Sequence, residues 1–523
     1  MQELILVVGG GTMGAGIADV AARGGYAVEL VEPDPGARER ALARVTENVT
    51  VRASIPERSD AVLAIEAVPE RMDFKQPVFA QLDRALGADA ILATNTSSLS
   101  VRELAEATGR PQRVVGLHFF NPPTAMKLVE IVETDRTSDD AFERARAFVE
   151  RIGKTGVTCA DTPGFIVNRV ARPFYLQSMR ALEAGVAGIE ELDALARCAG
   201  FRMGPFELMD LIGLDVNLAT SESVYERLEA ERLAPRPMQR DLVARGRLGR
   251  KTGTGFYVYE NGRHAKLDLA LDASPAGKQL EEAVCIIGFS ALADDLARAL
   301  EAHCDRLQRI ENDEFLDTLD SDATLVIDAG DGFSDRSEIV AQLDRRCDAS
   351  TMIFVDAYAT DLAGLAPRLR HPQRVLGFGV LGDLDAQRAI EVVDADATGD
   401  DALALAQECF EIVGKAVVLV EDRPGLYLGR VVGSIVNEAM IAVAQDVAEP
   451  DAIDLAMTLG VNYPRGPIAW GREIGGKRIT RILKRLAQTD GQEFAPHRSL
   501  WVLDADSESD ASEEEERGSM NSF

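Results

Sequence analysis

The residue best suited to acid–base chemistry in this 523-residue chain is His118, the first of its five histidines. It follows the apolar run VVGL, which reads as a strand, and opens the block HFFNPPTAMKLVEIVE. An imidazole titrates near neutral pH and can take a proton from an alcohol. At the carboxyl end of a strand in a parallel sheet it also stands where such sheets bind ligands. A lone histidine is often structural, so its meaning depends on its surroundings.

A second chemical element lies near residue 1. LILVV runs directly into Gly9-Gly10-Gly11-Thr12-Met13-Gly14 and then a helical pattern, which places the spacing G-x-G-x-x-G between a strand and a helix. In a dinucleotide-binding turn Gly9 permits the tight bend, Gly11 lets the backbone approach a pyrophosphate, and Gly14 lets helix and strand pack closely. The anion then rests on free N–H groups at the helix N-terminus. The next apolar run, AVELVE, ends at Glu32, whose carboxylate suits ribose hydroxyls and repels a 2′-phosphate, so NAD is favoured over NADP. Thr12, Met13 and Ala67 are expected to line the same cofactor site.

The elements that must position these groups follow from periodicity. Apolar runs at 4–8, 27–31, 61–68, 90–94 and 114–117 alternate with helical patterns, which predicts βαβ units and a parallel, doubly wound sheet of Rossmann type. After Asp161 the pattern turns to long helical periodicity, at 166–184 and 189–199. The whole plan then repeats: PQRVVGLHFF at 111–120 lies over PQRVLGFGVL at 372–381, and Asp161, Pro163, Gly164 and Arg169 lie over Asp422, Pro424, Gly425 and Arg430, all at an offset of 261 residues. A one-residue slip later matches Gly204-Pro205 with Gly466-Pro467. The expected fold class is therefore α/β plus all-α, a Rossmann-type domain followed by a helical domain, duplicated in tandem. Expected boundaries are 1–162 and 163–262 for the first copy, 281–423 and 424–502 for the second, a polar connection near 260–280, and an acidic disordered tail at 503–523.

The formal charge of -30 argues against nucleic-acid binding, which needs clustered Lys and Arg, and suggests a solvated acidic surface suited to a high-salt cytoplasm. An acidic protein from an ordinary cell is the alternative. No apolar run approaches a bilayer's thickness, and no basic flank precedes the first one, so neither a membrane span nor a signal peptide is expected. Six cysteines without C-x-x-C spacing point to reduced thiols, a cytoplasmic location and no metal site.

Several blocks together resemble the L-3-hydroxyacyl-CoA dehydrogenase family. They are Asn95-Thr96-Ser97-Ser98 after a strand, His118-Phe119-Phe120-Asn121-Pro122, Leu128-Val129-Glu130, Asp161 through Arg169, IEAVPE at 65–70 with Lys75, and K-T-G-x-G-F-Y at 251–257. The resemblance spans nearly the whole first copy. It implies NAD-dependent oxidation of an acyl-CoA alcohol, with His118 as base and Glu130 orienting and stabilising the imidazolium. It also implies that Ser97 and Asn168 bind the substrate's oxygens, that Asn121 is a further substrate-binding residue, and that Glu70, Lys75 and Asn95 line the nicotinamide end. An active copy followed by a degenerate one resembles the long bacterial 3-hydroxybutyryl-CoA and 3-hydroxyadipyl-CoA dehydrogenases. No hydratase segment precedes the glycine motif, so a fused multienzyme is not expected.

The second copy departs from the pattern. Gly288, Ser290 and Ala293 stand for the three glycines, and His118, Ser97, Asn95 and Asn168 become Gly379, Tyr358, Asp356 and Gly429, while Glu391 matches Glu130. That copy is expected to be no dehydrogenase. Family members dimerise through the helical domain, so the chain is expected to form a homo-oligomer, or the two helical segments an internal pseudo-dimer. Between Glu32 and residue 61 the family's longer helical hairpin is shortened, which leaves a dehydrogenase of a free hydroxy acid, resembling gulonate dehydrogenase and lambda-crystallin, as an alternative. A non-catalytic NAD-binding scaffold is the other.

Overall fold

A computed structural model describes residues 2–264, 279–311, 313–330, 336–358 and 360–504. Most of the expected polar connection, and the acidic tail beyond 504, lie outside the described residues.

Short, nearly continuous apolar runs make the central strands, which are covered on both faces, and the edge strands are partly exposed. In the first copy the strands are β1 (Leu4–Val8), β2 (Ala27–Val31), β3 (Val49–Arg52), β4 (Leu63–Glu66), β5 (Ile91–Thr94), β6 (Val114–Phe119), β7 (Leu128–Glu133) and β8 (Thr155–Ala160). Their order in the sheet is β3-β2-β1-β4-β5-β6-β7-β8. The strand order reverses beside β1, so the glycine turn after it opens at a topological switch point. Ile5, Leu6 and Val7 are fully buried, and the Thr12–Arg23 helix packs Ile17, Ala18 and Ala21 into one core with Ile5 and Val7.

One feature corrects the expectation of a parallel sheet. β7 runs antiparallel to β6, pairing His118 with Glu130, while β8 returns parallel to β7. LVEIVE buries Glu130 inside its run, and TGVTCA is largely polar and half-buried, which hides both from a hydrophobicity pattern. His118 also lies within β6, one residue before its end.

The second copy repeats the sheet with β9 (Leu280–Ile287), β10 (Cys304–Ile310), β11 (Leu325–Asp328), β12 (Met352–Asp356), β13 (Val375–Gly379), β14 (Ala389–Val393) and β15 (Ala416–Val420), in the order β10-β9-β11-β12-β13-β14-β15. Its β13 and β14 are antiparallel, with Gly379 opposite Glu391.

Two compact units cut across chain order. The first takes the residues up to Ala171, Thr220–Glu229 and Ala442–Gly466, and the second takes the rest. Residues 163–262, expected as one helical domain, are thus shared between the units, since a helix buries its apolar stripe against whichever surface it meets. Within the second unit, helices of both copies pack together. Ser178 and Tyr427 hydroxyls lie 3.0 Å apart, Arg232 pairs with Glu438 at 2.7 Å, and the Arg180 guanidinium lies 4.5 Å from the Phe494 ring. Among the described residues no helix is long and apolar enough to cross a membrane.

Candidate active site

All residues of the candidate site belong to the first unit. The antiparallel register sets His118 and Glu130 on one face, and His118 Nδ1 lies 2.5 Å from Glu130 Oε2. Glu130 is fully buried and the histidine side chain is 8% exposed. The other carboxylate oxygen accepts the N–H groups of Ile166 and Val167, at 3.0 and 2.9 Å, where the Val167–Val170 helix begins. A carboxylate only accepts, so Nδ1 carries the shared proton, and the neutral form of the ring has its lone pair on Nε2. The ring is flanked by Phe120 and Phe165, with centroids 4.5 and 5.8 Å away.

Asn168 follows Val167 directly, and its amide donates to the Ser97 carbonyl at 3.3 Å. The Ser97 hydroxyl and N–H both reach Glu70 Oε1, at 3.2 and 2.7 Å. Ser98 and Thr96 converge on the same oxygen. Burial opposes ionisation of Glu70, but Lys75 and the Thr96 and Ser97 hydrogen bonds outweigh it and hold its carboxyl below the usual range. Asn95 Oδ1 accepts from Phe119 N at 2.8 Å, which ties the end of β5 to that of β6 beside the imidazole. Asn121, on the turn after β6, is exposed.

Lys75 does not open onto a surface. It is 1% exposed and pairs with Glu66 at 2.8 Å and Glu70 at 3.2 Å. Sequence reasoning missed Glu66, a fully buried carboxylate ending β4 that also accepts from Thr94 Oγ1 at 2.7 Å and Val68 N at 2.6 Å. A charge at the end of an apolar strand, nine residues before a lysine, was the available signal. The second copy keeps such a pair, Asp328 at the end of β11 with Arg336 at 2.7 Å. Because it persists beside a site without an imidazole, this ion pair holds the fold around the strand end rather than performing chemistry. A further residue not foreseen is Arg227, whose guanidinium donates to the Ser98 carbonyl.

The glycine turn fits a dinucleotide. Gly9 has φ +107°, and a Cβ there would lie 2.5 Å from the Ala67 carbonyl oxygen. A Cβ on Gly14 would lie 1.8 Å from the Gly9 oxygen, whereas one on Gly11 would meet nothing within 4 Å. The turn is therefore tight inside and open at Gly11, where the helix beginning at Thr12 presents its N–H groups. Met13 is partly buried against the core and Thr12 is exposed. Glu32 lies against the turn, with Oε2 accepting from Gly10 N at 2.8 Å and Oε1 from Asp34 N at 2.9 Å.

The corresponding place in the second copy is filled. The Tyr358 hydroxyl donates to Glu391 Oε2, while Tyr427 and Leu428 N–H groups hold Oε1 at 2.7 and 3.3 Å. Cβ atoms on Gly379 and Gly429 would come within 3.0 and 2.8 Å of the Tyr358 ring. The histidine, asparagine and serine positions have thus changed together, two to glycine, so that one phenol occupies the space. Asp356, at the place of Asn95, pairs with Arg478 at 2.8 Å.

The chain matches known proteins over nearly its whole length. The family model "3-hydroxyacyl-CoA dehydrogenase, NAD binding domain" matches residues 4–57, 42–162 and 277–423, and "3-hydroxyacyl-CoA dehydrogenase, C-terminal domain" matches 164–259 and 425–520. The chain is similar to 3-hydroxyadipyl-CoA dehydrogenase of Escherichia coli K12, with 35% identity over 94% of this chain and 95% of the relative. It is 39% identical to 3-hydroxybutyryl-CoA dehydrogenase of Mycobacterium tuberculosis H37Rv, over 48% of this chain and 97% of that one. The crystal structure of 3-hydroxybutyryl-CoA dehydrogenase from Escherichia coli K12 superposes with a TM-score of 0.75 at 33% identity, covering 96% of this chain and 99% of the other.

Proposed function

The chain belongs to the 3-hydroxyacyl-CoA dehydrogenase family, whose cofactor is NAD, and from that membership we propose that its first copy oxidises short-chain L-3-hydroxyacyl-CoA to 3-oxoacyl-CoA. The observation that carries this reading is the buried His118–Glu130 pair, 2.5 Å apart, with the carboxylate's second oxygen fixed by two N–H groups. His118 Nε2 takes the hydroxyl proton, and Glu130 stabilises the imidazolium that forms without turning the ring. Ser97 and Asn168, adjacent through a hydrogen bond, orient the substrate's oxygens. Gly9, Gly11 and Gly14, with Thr12, Met13, Glu32 and Ala67 around them, hold the dinucleotide, and Glu70 and Asn95 shape the strand ends beyond it, with Lys75 bracing Glu70 from below. Bound there, NAD would supply the acceptor for the hydride that leaves the carbon bearing the hydroxyl.

The second copy performs no such step, because Glu391 faces a phenol in place of an imidazole. We assign it a structural role, with the two helical segments of the second unit forming an intrachain pseudo-dimer; the Ser178–Tyr427 and Arg232–Glu438 contacts support that reading. The acyl group has a second reading, since the Escherichia coli relative similar over 94% of this chain is named for a dicarboxylic acyl-CoA. NADH oxidation with acetoacetyl-CoA, a 3-oxoadipyl-CoA and free acetoacetate separates the cases. Turnover of acetoacetyl-CoA is the expected result, preference for the dicarboxylic thioester supports the second reading, and reduction of the free acid alone overturns both.

A further inference from the structure

The first unit contains one helix from the second copy, Pro450–Val461. Its buried residues Ile453, Ala456, Met457 and Gly460 fall at the i, i+3, i+4, i+7 spacing of a single face. That helix packs on β7, on β8 and on the Val167–Val170 helix. Two hydrogen bonds hold the chain leading into it: Ala160 N donates to the Val447 carbonyl at 2.9 Å, and the buried Arg169 guanidinium to Gln445 Oε1 at 2.6 Å.

Gly460 is the point of closest approach. A Cβ there would lie 2.8 Å from Leu128 Cδ2, 3.1 Å from Val167 Cγ2 and 3.6 Å from Phe120 Cε1. Each of these residues leads to the base. Leu128 precedes Glu130 by two positions on β7, the Val167 N–H is a donor to Glu130, and the Phe120 ring lies 4.5 Å from the imidazole. Glycine inside a helix costs about 0.5–1 kcal/mol relative to alanine, so its presence needs a packing reason, and this close contact supplies one. The first copy's own helix, Ile189–Cys198, packs on β14 in the second unit, with Arg388 N donating to the Cys198 carbonyl at 3.2 Å. Its residues at the place of Gly460, Cys198 or Ala199 according to where the one-residue slip falls, both carry a Cβ, and the sheet they face has no imidazole.

We propose that the second copy works in the first copy's reaction through this helix, with Gly460 as a positioning residue that lets Phe120, β7 and Val167 close on His118 and Glu130. The proposal rests on the reading of His118 as the base. The degenerate copy is then retained because it completes the active one.

The test uses full-length Gly460→Val and Gly460→Ala, with Leu455→Ala, an exposed change on the same helix, as control. Displacing reacting groups by a fraction of an ångström to one ångström lowers turnover by about 10- to 100-fold. Gly460→Val is expected to show such a loss in kcat with NADH affinity unchanged, a shifted acid limb in the pH profile of kcat/KM, and a changed His118 ring titration by NMR, assigned with His118→Gln. Adding Leu128→Ala, which frees the space the new Cβ needs, is expected to restore most of the activity. If Gly460→Val does not fold, Gly460→Ala with and without Leu128→Ala gives the same comparison. A folded Gly460 variant with wild-type kcat, pH profile and His118 titration overturns the proposal, as does a loss that only follows the folded fraction and is not rescued. If the wild type turns over no acyl-CoA, the functional reading fails instead, and the NMR titration still decides whether Gly460 positions His118.

Discussion

Replacing Glu391 by glutamine in the second copy should make the protein more stable, and increasingly so as the pH rises. Glu391 is fully buried with no cation paired to it among the described residues, and its hydrogen bonds from Tyr358, Tyr427 and Leu428 offset burial only in part, so its carboxyl is pushed up to about 7. An unfolded glutamate titrates near 4.3. The folded state therefore holds the proton more tightly, and the contribution of Glu391 to stability is complete below about pH 4 and is lost as the pH rises to about 7. At about 1.4 kcal/mol per pH unit the swing is roughly 4 kcal/mol. Glutamine keeps the oxygen that accepts from Tyr427 and Leu428, offers its N–H to the Tyr358 hydroxyl, and does not titrate. Near pH 4 the variant and the wild type should melt within about 1 kcal/mol of each other, as for a replaced neutral hydrogen bond. Near pH 8 the variant should be ahead by about 3–4 kcal/mol, seen by calorimetry as a Tm gap of roughly 5 °C. Dehydrogenase turnover should be unchanged, because Glu391 lies outside the first copy's site. A Tm gap that stays constant, or that favours the wild type at high pH, would refute the reasoning.

Three further outcomes are expected. His118→Gln should lower kcat by at least about 10²-fold while NADH titration by fluorescence stays within a factor of about two; an active variant would remove the base assignment. Gly14→Ala drives a Cβ to 1.8 Å from the Gly9 oxygen, an overpacking cost of about 1–3 kcal/mol that should weaken NADH binding roughly 10- to 100-fold, whereas Gly11→Ala, open on all sides, should leave the Tm unchanged. With a formal charge of -30, the chain should gain Tm between about 0.1 M and 1 M KCl, as the screening length falls from about 10 to 3 Å, and a Tm that drops would argue against an acidic surface built for salt.

The sequence by itself determined the local chemistry. The strand–glycine–helix spacing, the ordered blocks around His118 and Glu130, and the 261-residue repeat are patterns of near neighbours, and near neighbours are what propensity and periodicity encode. It also identified Gly379, Tyr358 and Gly429 as departures, but not that they form one plug, since residues 358, 379 and 429 meet only when β12, β13 and the helix after Leu426 converge. Tertiary structure alone decided the antiparallel turn of β7, which sets Glu130 opposite His118 though the two are twelve residues apart. It likewise buried Lys75 on Glu66 and carried the Pro450–Val461 helix into the first unit, more than three hundred residues from the histidine it abuts through Phe120. The physical reason is shared. Register and burial are set by which surfaces meet, and a helix stripe or a strand records that it must be covered without recording by what.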